Sequence, residues 1–391
     1  MKKQLVISSL LLLSLLVASC RKDVELLLSE VTVTDPGSSG AGRFAGFYLL
    51  NEGNMGSNKA TLDYYDFVTG SYQRNIYAEQ NPSVPKELGD VGNDIQLYGN
   101  RMYAVINASN KIEVMDAHTA KRIGQVDIPN CRYIAFHDGY AYVTSYAGPI
   151  EMDPEYTQRG YVARIDTATL QAQERCVVGY QPDGIAISSG KIYVANSGGY
   201  MGAGKSANYE RTVSVIDLAT FEEEKRIEVG CNLHLIKADQ RGNLWVTSRG
   251  DHRNNPSRLF VIDRQKQSVS DTICLPVNNF QIEGDSLYLF GINEGGTATE
   301  KEINFTIIHT GTRAVVNSHF ITDGTDRQLE TPYGIMVHPE TKDIYITDAG
   351  DYINPGFLYR FNREGKKQWS IQTGDIPAHF ALLPKRRYTK N

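Results

Sequence analysis

The chain is short of cysteine, of net charge and of long apolar runs, and each shortage removes a class of function. Its five cysteines in 391 residues form no Cys-x-x-Cys pair and no Cys/His cluster, so nothing is spaced to hold a metal ion. Lys and Arg number 40 against 45 Asp and Glu, a formal charge of −5, and Lys385-Arg386-Arg387 is the one basic run. That balance disfavours nucleic acid as a partner. The apolar stretch Leu5 to Val17 is shorter than the ~20 residues a membrane-spanning helix needs. Catalytic signatures are missing as well: there is no Gly-x-Ser-x-Gly, no His-Glu-x-x-His and no Ser-His-Asp or Cys-His pattern of useful spacing. Gly198-Gly199 and Gly295-Gly296 fall in hairpin loops, not between a strand and a helix, so neither cradles a phosphate.

What the chain has in quantity is short strands. Between Pro182 and Cys231 it reads Gly184-Ile185-Ala186-Ile187, a turn at Ser189-Gly190, Ile192-Tyr193-Val194-Ala195-Asn196, a long polar loop, Val213-Ser214-Val215-Ile216-Asp217, and Arg226-Ile227-Glu228-Val229. These are four β-branched or aromatic segments bounded by Gly, Pro, Asn and Asp, the pattern of antiparallel strands. The second segment recurs around Tyr48, Tyr103, Tyr142, Tyr193, Trp245, Tyr288 and Tyr345, a mean period of roughly 50 residues that falls among propeller-blade periods. A second marker closes the third strand: Tyr65-Asp66, Met115-Asp116, Ile165-Asp166, Ile216-Asp217 and Ile262-Asp263, with weaker forms at Ile308-His309 and Phe361-Asn362. Two markers in one order and phase predict an all-β fold, a seven-bladed β-propeller, which protects its sheet edges by radial repetition.

First strands are expected to start at Asp94, Tyr133, Gly184, His234, Asn279, Gly334 and His379. The last of these follows the seventh blade, while the first blade lacks a strand of its own before Phe47. Phe380 to Leu383 therefore supplies the innermost strand of the first blade and ties the two chain ends into one sheet. The four cysteines Cys131, Cys176, Cys231 and Cys274 fall on different blades and are expected to be free, mostly buried thiols.

Four-stranded blades put the strand two to three loops and the starts of the first strands on one face. Those loops are long here (Asn51–Lys59, Ser145–Gly160, Ser197–Arg211, Ser248–Ser257, Gly291–Glu302 and Ala349–Gly356) and rich in Tyr, Asn and Gly, a composition suited to recognition. The expected ligand-binding set is the channel-mouth ring Asn93, Asp94, Arg132, Tyr133, Asp183, His234, Asn278, Asn279, Tyr333 and His379, joined by the loop residues Tyr146, Tyr200, Asn293 and Tyr352. Amides, an arginine and two histidines around one axis suit a large ligand with many hydrogen-bonding groups. A metal-dependent lactonase-type propeller would use Asn93, Asp94, Asp183, Asn278 and Asn279 around a divalent cation, but two acids make a sparse ring for a hydrolytic site. An adhesion or scaffold propeller binding a protein or glycan is the other alternative. The expectation is a binding protein, not an enzyme, with no cofactor of its own.

Met1-Lys2-Lys3, the apolar stretch and Val17-Ala18-Ser19 read as a secretory signal over residues 1–19. Small residues before a cysteine resemble the bacterial lipobox, which implies a lipidated Cys20. Lys22-Asp23 resembles the signal that directs lipoproteins to the outer face of the outer membrane. Residues 20–43, including Pro36-Gly37-Ser38-Ser39-Gly40, are expected to be a flexible tether, and residues 44–391 the propeller. Tyr193-Val194-Ala195-Asn196 and Val213-Ser214-Val215-Ile216-Asp217 resemble the YncE-like seven-bladed propeller family. Within it, the lipobox together with Leu50-Asn51-Glu52-Gly53-Asn54 and Gly291-Ile292-Asn293-Glu294-Gly295 is similar to the BtuG-type cobalamin-binding surface lipoproteins. That resemblance implies cobalamin (vitamin B12) as a transported ligand and a TonB-dependent transporter of the BtuB type as partner, at the cell surface.

Overall fold

Each blade is a four-stranded antiparallel sheet too narrow to bury its own faces, so all seven stand side by side around a channel. In the computed structural model, which describes residues 29–85, 87–148, 158–199, 209–251, 254–293 and 302–386, the innermost strands of blades two to seven are Gly92–Tyr98, Cys131–His137, Pro182–Ser188, Leu233–Ala238, Asn279–Glu283 and Pro332–Val337. Every expected start falls within the first three residues of its strand. The ring closes as expected: Pro377–Pro384 is the innermost strand of blade one, antiparallel to Phe44–Asn51, with Ala381 opposite Tyr48 and Phe380 opposite Leu49.

The recurring markers now have physical roles. Because successive side chains of a strand point to opposite faces, alternate residues of each second strand serve opposite junctions. Tyr48, Tyr103, Tyr142, Tyr193, Trp245, Tyr288 and Tyr345 all pack into the junction with the following blade. Their neighbours face the preceding one, as Met102 and Ala104 do toward blade one and Leu244 and Val246 toward blade four. Among the described residues the core is thus seven apolar clusters, one per junction, and the bulky aromatics span the widening gap between splayed sheets. The third-strand Asp serves the turn that follows. Asp66, Asp116, Asp166, Asp217 and Asp263 each accept the backbone N–H groups two and three residues on. His309 does the same through Nδ1 in blade six.

The segment 20–43, expected to be a flexible tether, is in part packed against the propeller. Residues 20–28 lie outside the described residues together with the signal and Cys20, but residues 31–43 are docked on the ring. Val31–Val33 adds a fifth, outer strand to blade one beside Ser71–Gln73. The Asp35 carbonyl then accepts hydrogen bonds from Arg360 Nη1 at 2.7 Å and Trp369 Nε1 at 3.0 Å, both on blade seven. Ser39, fully buried, donates to Asp343 Oδ2 at 3.0 Å, the same oxygen that receives Arg360 Nη2 at 2.8 Å. The Gly, Ser and Pro content that reads as tether lets this strap turn tightly while its alternating Val-Thr-Val pairs with a sheet edge. Closure between blades seven and one is therefore reinforced from outside by the N-terminal segment and from inside by the C-terminal strand.

The four described cysteines are free, Cys131, Cys176 and Cys231 buried and Cys274 exposed.

Candidate functional site

The innermost strands of all seven blades open onto one cavity of about 1270 Å³, with Glu52, Met55, Arg249, Asn255 and Tyr352 reaching it from the strand two to three loops. The loop-bearing face and the channel mouth are thus one concave site.

Two polar clusters dominate its wall. In the first, Asp183 is wholly buried and receives Arg132 Nε at 2.9 Å, Arg249 Nη1 at 3.1 Å and the Tyr146 hydroxyl at 2.7 Å. Burial alone would raise the Asp183 carboxyl, but Arg132 and Arg249 overcome it and hold the group down at about 2. The Arg132 guanidinium lies 5.0 Å from the Tyr146 ring centroid, so stacking fixes its plane as well. Next to this cluster, the Tyr133 hydroxyl meets His234 Nε2 at 2.7 Å. Burial, with Arg249 adding to it, pushes the His234 imidazole well below its ordinary value, so the ring is neutral. In the second cluster Glu52 accepts the Tyr333 hydroxyl at 3.0 Å on one oxygen and contacts His379 Nε2 at 3.0 Å through the other. The Nε2 atoms of both cavity histidines are therefore taken up by protein groups.

Deeper in the channel Lys237 donates from Nζ to the Phe280 carbonyl at 2.6 Å and to Gln281 Oε1 at 3.2 Å, tying blade five to blade six. Burial pushes its ammonium down to about 8, with Asp94 opposing. Among the described residues no group of three or more His, Cys, Asp or Glu side chains converges as metal ligands would.

Residues 45–380 match the family described as Domain of unknown function, DUF5074. The chain belongs to this family. No curated protein sequence shows significant similarity to it. Among solved structures, the DUF5074 ring is similar to a quinonprotein alcohol dehydrogenase-like protein of Bacteroides thetaiotaomicron, at 14% identity and a TM-score of 0.58 over 87% of this chain and 78% of that one. It is also similar to a functionally unknown protein of Desulfotomaculum acetoxidans, at 11% identity and a TM-score of 0.59 over 87% and 99%. Hydrazine synthase of Kuenenia stuttgartiensis matches at 18% identity and a TM-score of 0.53 over 70% and 77%. At such identities the likeness concerns the fold alone.

Within the DUF5074 propeller the expected site residues sort by what their side chains already hold. Arg132, Tyr133, His234, Tyr333, His379 and Tyr352 line the cavity. Asn93, Asp94, Asn278 and Asn279 line it too, yet their polar atoms tie backbone together: Asn93 Nδ2 donates to the Arg132 carbonyl, Asn279 Nδ2 to the Tyr333 carbonyl, Asp94 accepts the N–H groups of Ile95 and Ile134, and Asn278 that of Ile292. Asp183 and Tyr146 sit behind the wall, positioning the arginines. Tyr200 and the Asn293 side chain lie outside the described residues. Arg249, Glu52 and Lys237 were not among the expected set. Glu52 and Arg249 stand in strand two to three loops whose composition pointed to recognition without singling them out, whereas Lys237 belongs to no motif and becomes visible only once the strand starts are phased.

Proposed function

We propose that this propeller is a lipid-anchored outer-membrane protein of the cell surface that captures cobalamin in the cavity of its loop-bearing face and passes it to a TonB-dependent transporter of the BtuB type. The observation that carries the reading is the cavity: at about 1270 Å³ it exceeds the roughly 300–1,000 Å³ of sites for drug-sized ligands. Cobalamin is large, broad across its corrin and fringed by amides, so its capture calls for a rigid hollow with donors, acceptors and aromatic surface around the rim. Arg132, Arg249, Tyr133, Tyr333 and Tyr352 supply such groups on seven mutually packed blades. A pre-organised ring loses little freedom on binding, which favours tight capture. The lipobox ending at Cys20 supports anchoring at the outer membrane, and the resemblance to BtuG-type proteins supports the ligand and the transporter.

We read the site as binding, not catalysing. The Asp183 carboxylate is committed to two arginines and Glu52 to Tyr333 and His379, so neither acid stands ready as a base. The concave polar centre favours a small ligand over a flat docking surface for a protein or glycan. Isothermal titration of the purified protein with cyanocobalamin tests the proposal. A saturable one-site heat is expected, and no heat at any concentration would overturn it.

A further inference from the structure

Arg132 and Arg249 are positioned by a shared buried carboxylate but not used up by it. Asp183 takes one N–H from each, Arg132 through Nε and Arg249 through Nη1. Among the described residues, Nη1 and Nη2 of Arg132 and Nε and Nη2 of Arg249 donate to no protein acceptor, although both guanidiniums line the cavity. Their side chains are 13% and 38% exposed, whereas Asp183 is at 0%. Two guanidiniums against one carboxylate leave one formal positive charge. The nearest other groups, the Tyr133 hydroxyl, the Tyr146 hydroxyl and the His234 ring, are neutral and add none of either sign.

We infer that Arg132 and Arg249 form a pre-built subsite for a monoanionic oxyanion carried by the ligand, a phosphodiester or a carboxylate. The guanidinium edge matches such groups by paired, charge-assisted N–H donation. Rigid mounting is what distinguishes this pair from surface arginines. Asp183 fixes both heads, the Tyr146 ring lies against one, and ordering two long side chains, the usual entropic cost of an ion pair, is met in the empty protein. One uncompensated charge suits one negative charge. A dianion would carry an excess toward Glu52 in the same cavity. The proposal rests on the reading of this cavity as a ligand site, but not on the ligand being cobalamin.

The test follows the arginine side-chain Nε–H resonances of the purified protein while it is titrated with dimethyl phosphate and, separately, with acetate. Saturable shifts of two arginine signals are expected with at least one probe, and the stronger response tells which oxyanion the site takes. Arg249→Gln should weaken that binding about tenfold or more, the factor that one lost charge-assisted hydrogen bond carries. Arg249→Lys, which keeps the charge, should fall between. Arg211→Gln, whose partner is Glu228 on an outer strand and which does not line the cavity, should bind as the parent does. A thermal melt shows that each variant is folded. No saturable shift with either probe, or equal binding by folded Arg249→Gln, overturns the inference. Failure of cyanocobalamin to bind would refute the ligand proposed above and leave this result standing, because the small anions are read without it.

Discussion

Replacing Asp183 with Asn changes one atom type at the point where two cations meet. The parent carboxyl, ordinarily near 3.8, is held at about 2: burial raises it, and Arg132 and Arg249 more than offset that rise. A depression of this size stabilises the fold by about 2 kcal/mol at neutral pH. Because the folded value is the lower one, this contribution is complete above the unfolded value and is lost as pH falls through the folded one. About half of it remains at pH 3. Asp183→Asn removes it and also leaves two partly buried guanidiniums facing a neutral amide, so the total loss at pH 7 should be about 3 kcal/mol, the low end for a broken buried pair. Urea unfolding followed by circular dichroism at pH 7, 4 and 3 reads the difference between the two proteins, in which every other carboxylate cancels. The gap should be widest at pH 7, nearly as wide at pH 4 and clearly narrower at pH 3. A variant within about 0.5 kcal/mol of the parent at pH 7, the range of ordinary surface substitutions, or a gap that does not change with pH, would refute the assigned role.

Two further predictions concern the ring. Truncation before Ile376 removes the innermost strand of blade one, with buried Ala378, Ala381 and Leu383 and the ladder to Phe44–Asn51. That loss is on the order of 10 kcal/mol, comparable with a whole domain's stability, so the truncated chain should show no cooperative urea transition, and a stable monomer would contradict the closure. Burial pushes the Cys131 thiol up to about 12 and Cys176 up to about 11, whereas Cys274 is exposed. Of the four propeller cysteines, Cys274 alone should react quickly with a thiol reagent at pH 8, and the others only in urea. Rapid labelling of Cys131, read by peptide mass spectrometry, would contradict its burial.

The fold could be read because each blade must present an aromatic to the next and cap its outer turn, so Tyr193 and Asp217 recur in fixed order along the chain. Both roles are local, the aromatic repeating in all seven blades and the turn cap in six, which makes them visible in a single sequence. The site repeats nowhere. Strand phasing brought Arg132 and Asp183 to the channel mouth, but phasing sets the position of a residue and not what its side chain holds. Asp183 thus stood beside Arg132 in the expected set, although it lies behind the wall and Arg132 on it. Arg249 follows a second strand directly, in Ser248-Arg249-Gly250, and only the fold brings it within 3.1 Å of a carboxylate 66 residues away. The N-terminal strap was obscured for another reason: Pro36, Gly37 and Gly40 carry the composition of a linker, while Val31 and Val33 carry the pattern of an edge strand.

Gel filtration of the purified protein after incubation with cyanocobalamin, read as an absorption spectrum across the protein peak, tests the capture proposal most directly. The vitamin's colour is expected to travel with the protein at close to one equivalent, and crowding the cavity rim, as with Met55→Trp, to reduce it. A colourless protein peak, or colour retained unchanged by a folded Met55→Trp variant, would contradict the proposal.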